Sequence, residues 1–266
     1  MKFLITIHLT TWVAIKLILT CDGPLLASAH GMLIKPAGRV SAWRVGYKTP
    51  INYNDMEMWC GGLAAKRASG GKCGVCGDPF NGTRSSEVPN GQWVTKPPTL
   101  TGDYVQGDWI NVTVNLTAAH KGYFVFRLCP AVTDEVEVTQ KCLNQYPLEI
   151  VNGSPGNRFK YNLGNQGSGM YNFTLILPGN LTCARCVLQW DYTCGNQGTT
   201  DMENETFRAC ADIRINRKDD EMDNEIDVTE KPKITKDTVN DKYEAKETEK
   251  YNFEDYESWN QASNYI

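Results

Sequence analysis

The chain has 266 residues, 41% of them hydrophobic and 22% charged, with a formal net charge of −4, which excludes collagen-like and wholly disordered classes. The charge is uneven: residues 218–266 hold 15 Asp and Glu against 7 Lys and Arg, so taking this −8 from the total of −4 leaves +4 for residues 1–217. No segment is basic enough for a nucleic-acid binder held by phosphate contacts, and only three histidines are present, His8, His30 and His120.

Residues 1–29 read as a secretory signal peptide. Met1-Lys2 precedes a mostly apolar run, Phe3 to Leu19, interrupted by Lys16 and followed by the helix breakers Cys21-Asp22-Gly23-Pro24. A membrane span needs about 20 predominantly apolar residues, so an anchor is the weaker reading. Ala27-Ser28-Ala29 forms an A-x-A cleavage site, and cutting there makes His30 the first residue of a secreted, extracellular protein. Seven N-x-S/T sequons agree with export: Asn81, Asn111, Asn115, Asn152, Asn172, Asn180 and Asn204.

Cleavage removes Cys21 and leaves nine cysteines, Cys60, Cys73, Cys76, Cys129, Cys142, Cys183, Cys186, Cys194 and Cys210. In an oxidising compartment these read as up to four disulfides and one unpaired thiol. Cys129 with Cys142 and Cys194 with Cys210 are plausible bridges, although sequence leaves the connectivity open. The two C-x-x-C pairs also have zinc-ribbon spacing, but 106 residues separate them where such sites close over roughly 15 to 20, so disulfides are favoured.

Residues 30–102 are rich in Gly, Pro, Asn and Trp and predict long loops with short helices or turns, ending at Pro97-Pro98. From Tyr104, β-branched and apolar segments recur between turns: 109–116, 122–128, 171–177, 186–192 and 209–215. Several alternate with period two. The fold class is therefore all-β, an immunoglobulin- or fibronectin-like antiparallel β-sandwich with long disulfide-linked loops and short helices, spanning 30–217. Residues 218–266 lack an apolar period and are expected to form an acidic, disordered tail. Its Tyr251, Phe253, Tyr256, Trp259 and Tyr265 leave room for a short partner-binding motif.

A terminal histidine offers an α-amine and a ring Nδ1 that chelate one metal ion. His120 adds a third nitrogen, and three nitrogens in a near-planar set suit Cu(II), which heads the affinity order for such donors. Alone, His120 reads as an ordinary histidine at a strand end, and His30 as an accident of the cleavage site. Their contexts raise the joint reading: His30-Gly31 directly after Ala29, and Ala118-Ala119-His120-Lys-Gly-Tyr-Phe at the entrance to a strand.

Six blocks, in order, carry a resemblance. They are His30-Gly-Met-Leu-Ile-Lys-Pro36, Cys60-Gly-Gly62, Gly70-Gly-Lys-Cys-Gly-Val-Cys-Gly-Asp78, Gly122-Tyr-Phe-Val-Phe-Arg-Leu-Cys-Pro130, Cys186-Val-Leu-Gln-Trp190 and Phe207-Arg-Ala-Cys-Ala-Asp-Ile213. Together they resemble the lytic polysaccharide monooxygenases of auxiliary activity family fifteen. The resemblance implies a secreted, monomeric copper enzyme that cleaves chitin or cellulose oxidatively, using one copper ion, an external reductant and O2 or H2O2. It implies a histidine brace at His30 and His120, an axial aromatic at Phe207 with Tyr192 as second choice, and Ala118 crowding the other axial face.

Two departures stand out. Gly195-Asn196 runs into Gln197-Gly-Thr-Thr-Asp201, a shorter loop than in many relatives, and Phe207 replaces the Tyr that some relatives carry. The short loop motivates an alternative, a non-catalytic secreted chitin- or copper-binding module. A third class is a matrix protein whose tail recruits a partner. No pair of carboxylates stands out for glycoside hydrolysis, which normally needs two. Trp43, Tyr47 and Tyr53 are candidates for a flat sugar-contacting surface, with the core the commoner fate of aromatic side chains.

Overall fold

The computed structural model describes residues 30–218. The expected signal peptide, residues 1–29, and all but the first residue of the expected acidic tail, residues 219–266, lie outside the described residues. Among the described residues no helix is long and apolar enough to cross a membrane.

Among the described residues nine strands run in chain order: β1 (His30–Lys35), β2 (Leu100–Val105), β3 (Trp109–Ala118), β4 (Tyr123–Pro130), β5 (Glu149–Ile150), β6 (Tyr161–Asn162), β7 (Gly169–Ile176), β8 (Cys183–Thr193) and β9 (Thr206–Asn216). Two short α-helices, α1 (Leu63–Ala68) and α2 (Gln140–Leu143), and two 3-10 turns, Ala42–Val45 and Asp201–Glu203, sit in the connections. One sheet has the order β1-β3-β7-β5 and the other β2-β9-β8-β4-β6. Pairing is antiparallel except at one edge, where β2 runs parallel to β9.

Burial explains why some strands read clearly. In β3, Ile110, Val112, Val114 and Leu116 are buried while Asn111, Thr113, Asn115 and Thr117 face outward, as a sheet with one wet face requires. β8 and β9 are buried almost throughout, because the core lies on one face and the 37–94 loops cover the other. Val75, Cys76, Cys129, Val138, Leu143, Val187 and Cys210 form a second apolar cluster beneath those loops.

Four disulfides staple the loops: Cys60–Cys73, Cys76–Cys210, Cys129–Cys142 and Cys183–Cys186. Cys194 is unpaired and buried, so it forms no bridge with Cys210. The reason is register. Gln189 of β8 stands opposite Cys210, which puts Cys194 about 17 Å further along the strand, beyond disulfide reach. Cys76–Cys210 closes a sequence separation of 134, for which chain entropy estimates about 5 kcal/mol, against about 3 kcal/mol for either separation of 13.

Buried ion pairs reinforce the same junction. Asp212 of β9 accepts from Arg39 at 2.7 and 2.9 Å and from Arg185 at 2.9 Å, while Arg39 also reaches Glu137 at 2.7 Å. Removing one partner strands a buried charge, which costs about 3–5 kcal/mol.

Not every aromatic goes inside. Tyr53 is 74% exposed and Tyr47 37%, against the expectation of core burial, and Trp43 is half-buried. Arg44 explains this: it grips buried Asp55 through two nitrogens and lies 4.4 Å over the Trp43 ring, so the loop is anchored by charge.

Candidate copper centre

Two backbone devices fix the two histidines. β1 pairs with β3 so that His30 stands opposite Ala118, two residues before His120. Gly31 makes this close approach possible. A Cβ there would lie 2.6 Å from Leu116 Cδ2 and 2.8 Å from Trp190 Cη2, so any other residue would push β1 off the core. After His120, Lys121 (φ 50°) and Gly122 (φ 81°) adopt consecutive left-handed conformations and turn the chain from one sheet into the other. A Cβ on Gly122 would meet the Thr193 carbonyl at 1.9 Å.

His120 is clamped at three points. Its backbone N–H donates to the Tyr192 hydroxyl at 2.8 Å, its carbonyl accepts from the Gly195 N–H at 2.9 Å, and its ring Nδ1 lies 2.8 Å from the Asn196 side-chain amide. With Nδ1 held there, Nε2 is the nitrogen left to ligate. The Asn196 amide nitrogen is the atom that faces Nδ1; a metal on Nε2 would require the Nδ1–H tautomer, which the amide meets in its isosteric orientation, with the oxygen turned to the ring.

His30 is held the other way round. Its Nε2 lies 3.3 Å from Glu57 Oε1, a carboxylate–histidine pair of the kind that orients metal ligands. In a chain that began at residue 30, Nδ1 and the backbone nitrogen could together hold one metal ion in a six-membered chelate. Burial pushes the pKa of His120 down, and the neighbouring His30 adds to that shift, in the direction of the neutral form that a ligand must have.

Phe207 packs beneath. Its ring is buried, 6.4 Å from the His30 ring, stacked on Trp59 at 6.4 Å and tilted against Tyr192 at 6.0 Å. Tyr192 is also buried, and its hydroxyl is already committed, donating to the Lys121 carbonyl at 2.9 Å and accepting from His120. Its geometry is that of a brace for the His120 turn. Desolvation raises its pKa well beyond the usual phenol range, and the buried Cys194 thiol is likewise pushed up, to about 12.

The short loop after Asn196 is tightly built. Buried Lys66 of α1 donates to the Asp201 carbonyl, the Asn204 carbonyl and Thr206 Oγ1 at 2.5, 2.9 and 2.7 Å. Asn204 donates to the Gly198 and Thr200 carbonyls and accepts from the Gln197 N–H. Trp43 and Tyr53 meet edge to face at 5.6 Å on the loop that continues to Glu57. Glu57, Trp59, Lys66 and the clamping role of Asn196 are absent from the sequence reading; for Asn196 the signal was its place beside Gly195, and for Glu57 there was none.

Among the described residues no group of three or more His, Cys, Asp or Glu side chains is arranged to hold a metal. Two imidazoles on one β-sandwich, one beside Glu57 and the other beside Asn196, could hold copper through nitrogen. The comparisons agree. Residues 30–213 match the family described as lytic polysaccharide mono-oxygenase, cellulose-degrading. A lytic polysaccharide monooxygenase of auxiliary activity family fifteen from Thermobia domestica, solved in the Cu(I) state, is 37% identical, with 70% of this chain and 98% of that chain covered and a TM-score of 0.63. A cellulose-active lytic polysaccharide monooxygenase in complex with copper is 18% identical over 70% of this chain and 98% of that chain, with a TM-score of 0.36. No curated protein is a significant match. The chain belongs to the lytic polysaccharide monooxygenases, auxiliary activity family fifteen, and is a copper-dependent monooxygenase that takes one copper ion.

Proposed function

We propose that removal of residues 1–29 exports a monomeric protein that starts at His30, holds copper in a histidine brace of His30 and His120, and oxidatively cleaves chitin or cellulose. The observation that carries this reading is the complementary tethering of the two rings, His30 through Nε2 to Glu57 and His120 through Nδ1 to Asn196. It supports Nδ1 of one, Nε2 of the other and the new chain-end amine as the donors to the ion. When bound, copper supplies the one-electron chemistry that, with an external reductant and O2 or H2O2, oxidises a C–H bond beside the glycosidic link.

The chain's own residues set the conditions for that chemistry. Asn196 and Glu57 fix ring orientation and tautomer. Phe207 would present an apolar ring and no phenol to the ion, and Ala118, opposite His30 in the ladder, would present only a methyl group. The α-amine must shed its proton to bind, so affinity falls with pH through the ordinary α-amino range of about 7.7–8.0. Tyr53, Tyr47 and Trp43 offer exposed and half-exposed rings for a sugar polymer. The test is release of oxidised oligosaccharides from chitin and from cellulose by copper-loaded protein with a reductant. Oxidised products from either polymer support the reading; their absence with copper bound leaves a binding module and contradicts it.

A further inference from the structure

The outer face of the four-stranded sheet carries a second, unrelated chemistry. In the β3–β7 ladder Asn111 stands opposite Thr174 and Thr113 opposite Asn172. Thr113 Oγ1 donates to Asn172 Oδ1 at 2.8 Å, and Thr174 Oγ1 to Asn111 Oδ1 at 3.5 Å. These four residues are the Asn and Thr of two N-x-T sequons. Each sequon's hydroxyl therefore meets the amide oxygen of the other, a bond that spares the nitrogen to which a glycan is joined.

Both asparagines are exposed, and both line one open groove of about 630 Å³, together with Asn152, Lys35, Tyr161 and Tyr171. Trp109 is 67% exposed and Met170 57%. Single exposed apolar side chains are ordinary; these two are distinguished by position. Each lies two residues before a sequon asparagine, hence on the same face of its strand, within reach of the first sugar. An indole offers a flat apolar surface to the C–H face of a pyranose, as does a pliable thioether.

Asn204 provides the contrast. It is 3% exposed, its amide nitrogen donates to two carbonyls, and its sequon hydroxyl, Thr206 Oγ1, accepts from Lys66. A sugar there would break one of those bonds and has no space.

We propose that Asn111 and Asn172 carry N-linked glycans whose first sugars lie along this face, over Trp109 beside the groove and over Met170 within it, and that Asn204 carries none. The inference rests on the export reading. Each transfer joins Asn Nδ2 to C1 of the sugar, releases one amide proton and breaks the bond from that carbon to the diphosphate of a lipid-linked donor, on the nascent chain before the sheet pairs. The glycans stand clear of the copper end: Asn111 lies seven residues from Ala118 along β3, about 24 Å.

Glycopeptide mapping of the full-length chain secreted from eukaryotic cells tests this, with the N-terminus sequenced on the same sample. Glycans at Asn111 and Asn172 with Asn204 bare are expected. Bare Asn111 and Asn172 on a chain starting at His30, or a glycan on Asn204 of folded protein, overturns the proposal. A chain that retains residues 1–29 and carries no glycan refutes export itself, and the proposal with it. The packing is tested separately by thermal unfolding. Asn111→Gln is expected to lower Tm by roughly 2–4 °C beside Trp109 and by no measurable amount in Trp109→Ala. Equal shifts in the two backgrounds overturn the seat proposed for the sugar.

Discussion

Asn196 lies 2.8 Å from Nδ1 of His120, and this one side-chain amide decides which face of the ring is turned outward. Asn196→Leu leaves the ring nitrogen without its partner. Copper affinity should fall roughly 10–100-fold, the usual worth of an outer-shell partner, with the fold intact by circular dichroism. Isothermal titration with Cu(II) measures it, and unchanged affinity would show that the clamp is incidental.

Gly31 has no room for a methyl group between Leu116 and Trp190. Gly31→Ala should destabilise the protein by about 1–3 kcal/mol through overpacking, and it should also weaken copper binding, since β1 carries His30. Urea unfolding and copper titration on one sample check both effects. A stable variant with native affinity refutes the close-approach argument.

Tyr192→Phe removes a buried hydroxyl that serves the His120 N–H and the Lys121 carbonyl. The loss should be about 1–3 kcal/mol, the cost of stranding buried backbone groups. Denaturant midpoints measure it. Were Tyr192 instead to act on the metal, stability would hold while the electron paramagnetic resonance spectrum of the copper changed.

The disulfides should differ in worth according to the loops they close. Replacing both Cys76 and Cys210 by Ala removes the constraint on a separation of 134, about 5 kcal/mol by chain entropy, whereas replacing Cys183 and Cys186 relaxes a separation of 3, less than about 2 kcal/mol. Thermal unfolding of the two double variants gives the order, and a reversed order would contradict the entropic account.

Acid should unfold the protein. Burial alone raises the pKa of Asp212, but Arg39 and Arg185 outweigh it, and Asp191 is likewise held down by Arg208, Arg127 and Lys66. Their native pKa values lie below the unfolded value of about 3.9, so the unfolded chain binds more protons in that window. Stability is therefore fully present above pH of about 4 and is lost as pH falls through the native values. Asp78 and Glu87 are shifted upward by burial and work in the opposite sense, their contribution declining as pH rises. Melting temperature followed between neutral pH and pH 2 should drop below pH 4, and Arg39→Met should move that drop to higher pH. A flat profile would contradict the ion-pair assignment.

How much of this was legible depends on where each feature gets its information. β3 announced itself because one face is wet, and alternation records that. β8 and β9 were legible as apolar runs with flanking turns. β1 was not, because its six residues have no alternation and follow a hydrophobic leader. Nor was β2, whose Gly102 and parallel edge pairing weaken any strand pattern. The two histidines could be picked out because there are so few. Their tethers could not, since Glu57 and Asn196 reach the rings from loops whose paths are set by Arg44–Asp55 and the Lys66 cage. Cys76–Cys210 was hidden for the same reason.

The central claim is that a chain end at residue 30 completes the copper site. Cu(II) titration of protein starting at His30, compared with the same protein carrying one extra residue before His30, tests it most directly. The account predicts one tightly held ion in the first and a loss greater than the roughly 10–100-fold of an outer-shell change in the second. Equal affinity in the two would contradict it.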